Sequence, residues 1–501
     1  MLSKIKIYLA IVVFVFLASD AVAQVTKKVD IVIKDTAIAG SVDYSLDEIK
    51  YKDYIIDRFD IRDSANFHST VKFGGAKFLR CVTLSNSKFF DTVDFTNVEF
   101  KNCLAFFDVK FKKVANFAYS KFSIQTIFEN DTFANLTNFD EAESTGTLEF
   151  QQIKFLEQVN FSSAKFSGYT FFINSIFSKD ADFRDSQFSE LDFGFVQFLG
   201  NADFERSSFS SHVSFENILF SKGLNLSRAK ISNTIDFSNS KFKHNSILNL
   251  NHLYLKDNSY LSFKDAILPD TILFSENNNF QSNIDFSEAN FNNAKPINLY
   301  LYNSNIAKLH LDYFHFRLLL PDSSKSYKCI GEKMLSYDEK AAIYEALLNN
   351  FKTNGQTDSY KLLDIEYQHF KWLNSWTFWL PCFSKYWWNF GYDKEYVFGW
   401  TFGFLLAFTF FTYFFLYSLN TKVYPIKKIP VNESWCKSLS FDDFGDRLWY
   451  SLMYTSTVFF LLTLKIENIH FKEKKGTFYL FTVYTVGLIC LAYMANFVLQ
   501  K

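Results

Sequence analysis

The sequence predicts an all-β solenoid, followed by a helical hairpin and a small α-helical transmembrane domain. Three observations carry this prediction. Phenylalanine, with 64 copies among 501 residues, recurs at spacings that alternate between five and six from Phe73 onwards. All eight tryptophans lie after residue 370, which marks a change of physical environment. Two long uncharged apolar runs, 397–418 and 477–499, lie at the end of the chain and are long enough to cross a membrane.

The N-terminus has the pattern of a secretory signal peptide. Lys4 and Lys6 precede the apolar run 7–17, and Ala21-Val22-Ala23 supplies a small-residue cleavage site. This apolar run is shorter than the ~20 residues that a membrane span needs, so we expect cleavage after Ala23 rather than an uncleaved anchor. No span-length apolar run follows before residue 397. The region in between is therefore expected on the external, periplasmic side of the membrane.

The phenylalanine spacing defines an eleven-residue unit. Two residues before many of these phenylalanines lies a small or β-branched residue, with Asn or Asp between the two, as in Ala181-Asp182-Phe183 and Ala202-Asp203-Phe204. In such a triplet the small residue and the phenylalanine point inwards, and the polar residue between them points outwards. This alternation is typical of an extended strand. A helix would scatter positions five and six apart around its surface. Short strands of fixed repeat length bury such side chains by stacking coil on coil, which predicts a solenoid.

Two of these segments resemble a known family. Ala181-Asp182-Phe183-Arg184-Asp185 and Ala202-Asp203-Phe204-Glu205-Arg206 look like the pentapeptide repeat, A-(D/N)-(L/F)-x-x. The resemblance covers roughly 65–293 and implies a right-handed quadrilateral β-helix with four five-residue sides per coil. The extra residue in every second interval departs from that pattern. It suggests coils of about 22 residues in which one corner or side is lengthened.

Cys81 and Cys103 are 22 residues apart, so they should stack at the same place on successive coils. Adjacent strands lie ~4.8 Å apart, which is close enough for a disulfide, and an oxidising exterior would permit one. A reduced stacked pair is favoured, because stacking alone does not set the Cβ directions that a disulfide needs. The remaining cysteines show no metal-site spacing. They are Cys329, Cys382, Cys436 and Cys490.

The composition gives no sign of chemistry in the solenoid. A formal net charge of -1 leaves no electrostatic footprint for nucleic acid. His310, Asp312 and His315 are better interpreted as surface or packing residues than as metal ligands. No nucleophile motif is present. We therefore expect no catalytic residues, no metal and no cofactor, and the protein is predicted not to be an enzyme.

A helical hairpin is expected after the solenoid. Ser336 and Glu339 form a capping box, and Gly355 ends the first helix. The pair should close the last coil of the solenoid, the alternative being a free helical spacer. The segment from Glu339 to Tyr367 also resembles a two-helix segment of pentapeptide-repeat proteins with a channel-like tail. The apolar faces are Ile343, Leu347 and Phe351, then Tyr360, Leu363, Tyr367 and Phe370.

A third apolar stretch, 448–464, lies between the two spans. Within it, Tyr450 to Val458 resembles the pore helix and filter entry of two-span potassium channels, Y-F-S-L-V-T-F-T-T-V. The family continues G-Y-G-D, whereas this chain continues Phe459-Phe460-Leu461-Leu462. Glycines let the backbone aim successive carbonyls at the ion, so a potassium filter is not expected here. The pore-like residues are Thr455, Ser456, Thr457, Val458, Phe459, Phe460 and Leu461.

Three interpretations of this stretch stay open: a non-conducting relic, a different pore, or a third span. With the solenoid outside, the loop 419–446 is cytoplasmic, and its lysines agree with the positive-inside rule. A pore loop would then enter from the cytoplasm, as in glutamate-receptor-type channels. Full crossing would instead place the lysines of 466–475 outside. Charge favours re-entry and length favours crossing.

Two functions follow from this organisation. The first is a multi-pass channel-like protein of the cell membrane, which contacts lipid and self-associates. The second is a non-conducting scaffold whose rod binds an unknown envelope protein. The predicted segments are 1–23 signal peptide, 24–64 lead-in, 65–320 solenoid, 321–371 hairpin, 372–396 aromatic interfacial segment and 397–501 transmembrane domain.

Overall fold

A computed structural model describes most of the chain. The described residues are 28–33, 42–44, 49–50, 55–61, 65–277, 284–291, 295–320, 334–373, 379–430, 444–460, 468–471 and 473–499. The predicted signal peptide lies outside them, as do Leu461 and Leu462. The chain divides into two compact units, 1–360 and 361–501.

The first unit is a β-solenoid of short parallel strands, as the sequence predicts. Among the described residues, its faces form sheets of 20, 13 and 10 strands, the largest of which joins two neighbouring sides of the coil. The 13-stranded sheet consists of Ile49–Lys50, Val71–Lys72, Val93–Asp94, Ala115–Asn116, Thr137–Asn138, Val159–Asn160, Ala181–Asp182, Asn201–Asp203, Gly223–Asn225, Ile247–Asn249, Thr271–Ser275, Ile297–Tyr302 and Phe316–Leu318.

The other two sheets have the same short strands. The 10-stranded sheet consists of Val42–Tyr44, Ala65–Phe67, Lys88–Phe89, Lys110–Phe111, Thr132–Phe133, Lys154–Phe155, Ile176–Phe177, Gln197–Phe198, Leu219–Phe220 and Lys241–Phe242. The 20-stranded sheet consists of Lys28–Ile33, Ile55–Ile61, Lys77–Phe78, Val82–Ser85, Glu99–Phe100, Leu104–Phe107, Lys121–Phe122, Gln125–Glu129, Glu143–Ser144, Thr147–Gln151, Lys165–Ile173, Gln187–Asp192, Ser208–Phe209, Val213–Ser214, Lys230–Ile231, Thr234–Asp236, Tyr254–Leu255, Tyr260–Ser262, Ile284–Asp285 and Leu309–His310.

The strand register confirms a coil of 22 residues. Val93 pairs with Ala115 on the next coil, and Ala115 pairs with Thr137 on the one after. The register shortens by one residue where Ala181 pairs with Ala202. This is the place where the phenylalanine spacing loses a residue, so the spacing in the sequence follows the coil itself.

Two kinds of corner explain why the spacing between phenylalanines alternates between five and six residues. Apart from Phe188–Phe193, where the wide corner has lost a residue, each five-residue interval contains a residue in the left-handed region. Each six-residue interval turns through a wider corner that holds the extra residue. From Asn86 to Asn239 the left-handed residues recur every eleven positions, except for a step of ten before Phe195, with φ between 49° and 60°. They are Asn86, Asn97, Asp108, Tyr119, Asn130, Glu141, Gln152, Ser163, Asn174, Asp185, Phe195, Arg206, Asn217, Arg228 and Asn239.

The core is four columns of inward side chains, mostly phenylalanine. In one column the rings of consecutive coils stack face to face with centroids 4.5–5.2 Å apart. Full burial of one such side chain stabilises the fold by about 1.5–3 kcal/mol, so the columns supply most of the driving force. This column consists of Phe73, Phe95, Phe117, Phe139, Phe161, Phe183 and Phe204.

Helix α1 (Tyr337–Thr353) closes the last coils, as predicted. The capping box at Ser336 and Glu339 is present, and Gly355 follows the helix with a φ of 70°. The buried Asn350 amide donates hydrogen bonds to the carbonyls of Ile306 and Leu309 in the final coil, at 2.5 and 3.3 Å. These bonds satisfy backbone groups that no further coil covers, so the helix is a cap rather than a free spacer.

The second unit is helical. It contains most of α2 (Thr357–Leu373), then α3 (Trp379–Trp388), α4 (Tyr396–Ser418), α5 (Phe444–Phe459) and α6 (Lys474–Leu499). A π-helical turn over Leu419–Val423 extends α4. The buried residues of the helical unit lie where α3, α4, α5 and α6 meet, and they include Trp387, Leu416, Val458 and Leu480.

Candidate functional site: a half-span helix between two apolar helices

Two helices are long and apolar enough to cross a membrane. They cover Tyr396–Val423 and Lys474–Asn496, with 28 and 23 residues, against the ~20 that a span needs. These helices correspond to the predicted spans 397–418 and 477–499. Most of their surface is not buried within the protein, which distinguishes them from the core helices of a soluble domain.

Helices α4 and α6 run antiparallel. At one end, Gly476 of α6 lies against Val423, so closely that a Cβ on this glycine would lie 2.5 Å from the Val423 side chain. Further along, the hydroxyls of Thr412 and Tyr479 are 3.0 Å apart. The last turns of α6 lie beside α3, where the rings of Trp387 and Tyr493 are in contact. The end of α4 and the start of α6 are therefore at the same end of the pair.

Helix α5 stops halfway along this pair. Its 16 residues measure about 24 Å at 1.5 Å per residue, which is less than the ~30 Å hydrocarbon layer. Phe459, its last residue, packs against the ring of Phe408 in α4. The Phe459 carbonyl oxygen lies only 2.0 Å from where a Cβ on Gly487 would stand, and Gly487 is at the middle of α6. Only glycine permits this approach.

After α5 the chain returns to the end of the helix pair at which α4 finishes. The backbone N–H of His470 donates a 2.8 Å hydrogen bond to the carbonyl of Val423, at the end of α4. Helix α6 begins there, at Lys474. The segment between the two long helices thus starts and finishes at one end of the pair, and α5 reaches towards its middle.

A chain of hydroxyl groups ties α5 to both long helices. Thr455 donates to Thr412 at 2.9 Å, Thr412 is bonded to Tyr479, and Tyr479 donates to the carbonyl of Phe408 at 2.7 Å. Interhelical hydrogen bonds of this kind contribute about 0.6–2 kcal/mol each in membranes. Thr455 is fully buried, so the network fixes the depth and rotation of α5.

The first turn of α5 buries a cation. Arg447 donates through Nε to the carbonyl of Tyr413 at 2.8 Å and through Nη2 to that of Phe414 at 3.4 Å. Its guanidinium lies 4.5 Å from the centre of the Tyr413 ring. Here the visible role of Arg447 is to hold the start of α5 against α4.

The structure distributes the predicted pore-like residues over both faces of α5. Thr455, Val458 and Phe459 are buried against the neighbouring helices, whereas Ser456, Thr457 and Phe460 are half-buried. Thr457 bonds to the Met453 carbonyl of its own helix at 2.7 Å. Leu461 lies outside the described residues. The residues that hold this arrangement were not predicted: Arg447, Thr412, Tyr479 and Gly487. The arginine in α5 and the glycine in the middle of α6 were the available signals.

In the solenoid, Cys81 and Cys103 lie on successive coils as predicted, with Cα atoms 4.4 Å apart, and the structure joins them by a disulfide. The sequence favoured a reduced pair, since the spacing carries no information on the Cβ directions that the coil sets. The reduced state that the sequence favoured in the cell stays a prediction. Among the residues that the structure describes, no three His, Cys, Asp or Glu side chains are grouped to hold a metal ion.

Comparison with known proteins identifies the repeat. A family model of pentapeptide repeats (9 copies) matches residues 150–197. Neither the curated proteins nor the solved structures give a match. The matched residues lie inside the solenoid, and the same coil geometry continues on both sides of them.

Proposed function

Starting from a pentapeptide-repeat β-solenoid joined to two membrane-capable helices, we propose that the protein is a multi-pass membrane protein whose helical unit forms an oligomeric, ion-channel-like pore. The observation that carries the proposal is the position of the α5 C-terminus, with Phe459 against Gly487 at mid-span. If α4 and α6 cross the bilayer, α5 is a re-entrant helix.

The physical argument for a pore concerns the backbone at the end of α5. The last carbonyls of a helix have no partner within it, and hydrocarbon offers none. Irregular backbone at membrane depth is tolerated only where protein or a water-filled cavity covers it. Further copies of the chain around a symmetry axis would provide both. Self-association is therefore part of the proposal.

The same geometry indicates which ions would be favoured. A helix carries a partial negative charge at its C-terminus, equivalent to about half an elementary charge. In α5 that end lies at mid-span, where half-helix C-termini suit cations. Phe459 and Phe460 replace the glycine-containing filter, so we propose cation conduction without potassium selectivity.

The proposed orientation places the solenoid outside and the α4–α6 turn inside. Lys422, Lys427 and Lys428 follow α4, and Lys474 and Lys475 begin α6, so five lysines lie at one end of the helix pair. Cytoplasmic loops carry such an excess. The Cys81–Cys103 disulfide suits an oxidising exterior. Re-entry would then occur from the cytoplasmic side.

The test combines oligomeric state with ion flux. We expect the full-length protein to be a symmetric oligomer by native mass spectrometry in detergent, and to pass cations at least as well as anions in liposomes. A Gly487→Ala variant should lose flux, because its methyl group displaces the end of α5. Gly403→Ala in α4 is the matched control, because a Cβ there has nothing within 4 Å. A monomer without flux would refute the proposal.

A second candidate is a non-conducting scaffold whose solenoid binds an envelope protein. The observation in its favour is Phe195, which is 62% exposed and occupies a left-handed corner. The neighbouring coils set the backbone of this corner, but an exposed apolar ring buries nothing there, so it marks a candidate contact surface. A photo-crosslinker at Phe195 should capture a partner that one at Asn174, the same corner one coil earlier, does not. Equal capture at both positions would count against it.

A further inference from the structure

One corner of the solenoid carries a buried polar side chain that bridges successive coils. Ser175 accepts the N–H of Ile153 at 3.0 Å and donates to the carbonyl of Phe150 at 3.2 Å. Ser240 makes the same pair of bonds, to Ile218 and Phe215. Each side chain thus accepts from the residue 22 positions back and donates to the one 25 positions back.

An amide makes the same pair of bonds at the other left-handed corner of the coil, after the strand Thr271–Ser275. The Asn277 side chain accepts the N–H of Leu253 at 2.6 Å through its oxygen. Through its nitrogen it donates to the carbonyl of Leu250 at 3.0 Å. The position also takes apolar residues such as Ile153 and Ile218, but a polar side chain buried there is satisfied when it has both an acceptor and a donor.

Asp131 occupies the same corner as Ser175, two coils earlier. Its Oδ1 accepts the N–H of Val109, 22 residues back, at 2.6 Å. Its Oδ2 is buried without a partner among the described residues, and the side chain is fully buried. The residue 25 positions back is Phe106, whose carbonyl faces the corner by the repeat. A carboxylate has no donor for this carbonyl.

We propose that Asp131 is a neutral carboxylic acid in the folded solenoid, with its proton on Oδ2 and donated to the Phe106 carbonyl, and that it acts as a pH-sensitive latch. Loss of the proton places two acceptors, one of them charged, against each other in a dry core. An unpaired buried charge is costly, so the coil opens locally instead.

The surrounding charges act in the same direction. Burial raises the pKa of Asp131 well above its usual range. The Val109 N–H lowers this pKa in part, the nearby carboxylates Asp108 and Glu129 raise it, and the Glu129 backbone lowers it slightly. The lysines on the adjoining strands, Lys110 and Lys154, are exposed on the outer face. A raised folded-state pKa means that the latch stabilises the fold fully below the unfolded value, about 3.9, and that this stability is lost as pH rises towards the folded value.

The aromatic core is interrupted in the same coil as the latch. Ser144 pairs with Phe122 on the coil before and with Phe166 on the coil after, and so interrupts a phenylalanine column. The buried hydroxyl of Thr126 has no partner among the described residues. A core position without its ring loses about 3–5 kcal/mol of burial and packing, so this is where local opening should begin.

Hydrogen exchange on the full-length protein in detergent tests the proposal. Between pH 5 and 8, after correction for intrinsic exchange, the opening constant of peptides spanning 105–135 should rise by up to tenfold per pH unit until the folded-state pKa is passed. Asp131→Asn keeps both hydrogen bonds without titrating and should abolish this rise. Peptides around Ser175 in the same sample should show no such dependence.

A second variant distinguishes the effect of a buried carboxyl group from a general folding defect. Added to Asp131→Asn, Ser175→Asp should move the pH dependence to the peptides around 150–178 and leave the remainder of the solenoid as in Asp131→Asn. Equal pH dependence in the wild type and Asp131→Asn, or none in the wild type, would overturn the proposal.

Discussion

The left-handed corners make a sharp prediction at Asn217. This residue is exposed, has a φ of 58° and begins no strand, and its backbone N–H donates to Ser238 on the next coil at 3.1 Å. Asn217→Val keeps that bond but places a β-branched residue where left-handed backbone costs an L-residue about 1–2 kcal/mol. No apolar burial offsets this cost, since the side chain points to solvent. We therefore expect destabilisation by about 1–2 kcal/mol.

Two matched variants isolate the backbone term. Asn217→Gly should change stability by less than ~0.5 kcal/mol, because glycine adopts this conformation without strain. Ser214→Val places the same side chain in a strand, where β-branched residues are favoured. Urea unfolding followed by circular dichroism gives the three differences. Equal destabilisation by valine at 214 and 217 would refute the idea that a left-handed corner sets the eleven-residue unit.

Three further predictions concern packing. Phe161→Ala, in the middle of a stacked column, should cost about 3–5 kcal/mol in urea unfolding. Cys81→Ser should cost about 3 kcal/mol, the loop-closure value for a sequence separation of 22, and the cost should vanish when the wild type is compared under reductant. Gly487→Ala should expose α5 to proteolysis in detergent, whereas Gly403→Ala should not; equal cleavage of both would contradict the mid-span contact.

The solenoid could be predicted from the sequence because its core is periodic. A phenylalanine every five or six residues reports the strand period and the coil length together, so even the missing residue before Phe193 reappears as a shortened register between Ala181 and Ala202. The left-handed corners could not be located in the same way. Asn occupies many of them, but Tyr119 and Phe195 occupy others, since the neighbouring coils impose the conformation on whichever residue is there.

The polar details of the core were also beyond the sequence. Asp131 and Ser175 look like ordinary outward residues until the coil geometry places both at the same buried corner. The state of Cys81 and Cys103 likewise depends on side-chain directions that spacing does not encode. In both cases the missing information is the direction of a Cβ, which a one-dimensional period leaves undetermined.

In the helical unit, sequence predicted the elements but not their arrangement. Length and hydropathy identified both long helices and the start of the middle stretch. Whether that stretch crosses or re-enters depends on pairwise contacts. Glycine at position 487 and the hydroxyls of Thr412 and Tyr479 make these contacts, and no periodicity marks them. Residues 431–443 and 461–467 lie outside the described residues.

The side of the membrane on which α6 begins tests the central claim most directly. Single cysteines replacing Glu395, Lys427 and Lys475 report the start of α4, the segment after α4 and the start of α6. With a membrane-impermeant maleimide on sealed cells and on inverted vesicles, a re-entrant α5 predicts that 427 and 475 are labelled from the same side and 395 from the other. Labelling of 475 from the side of 395 would show that the middle stretch crosses the bilayer, and would contradict the pore-like arrangement.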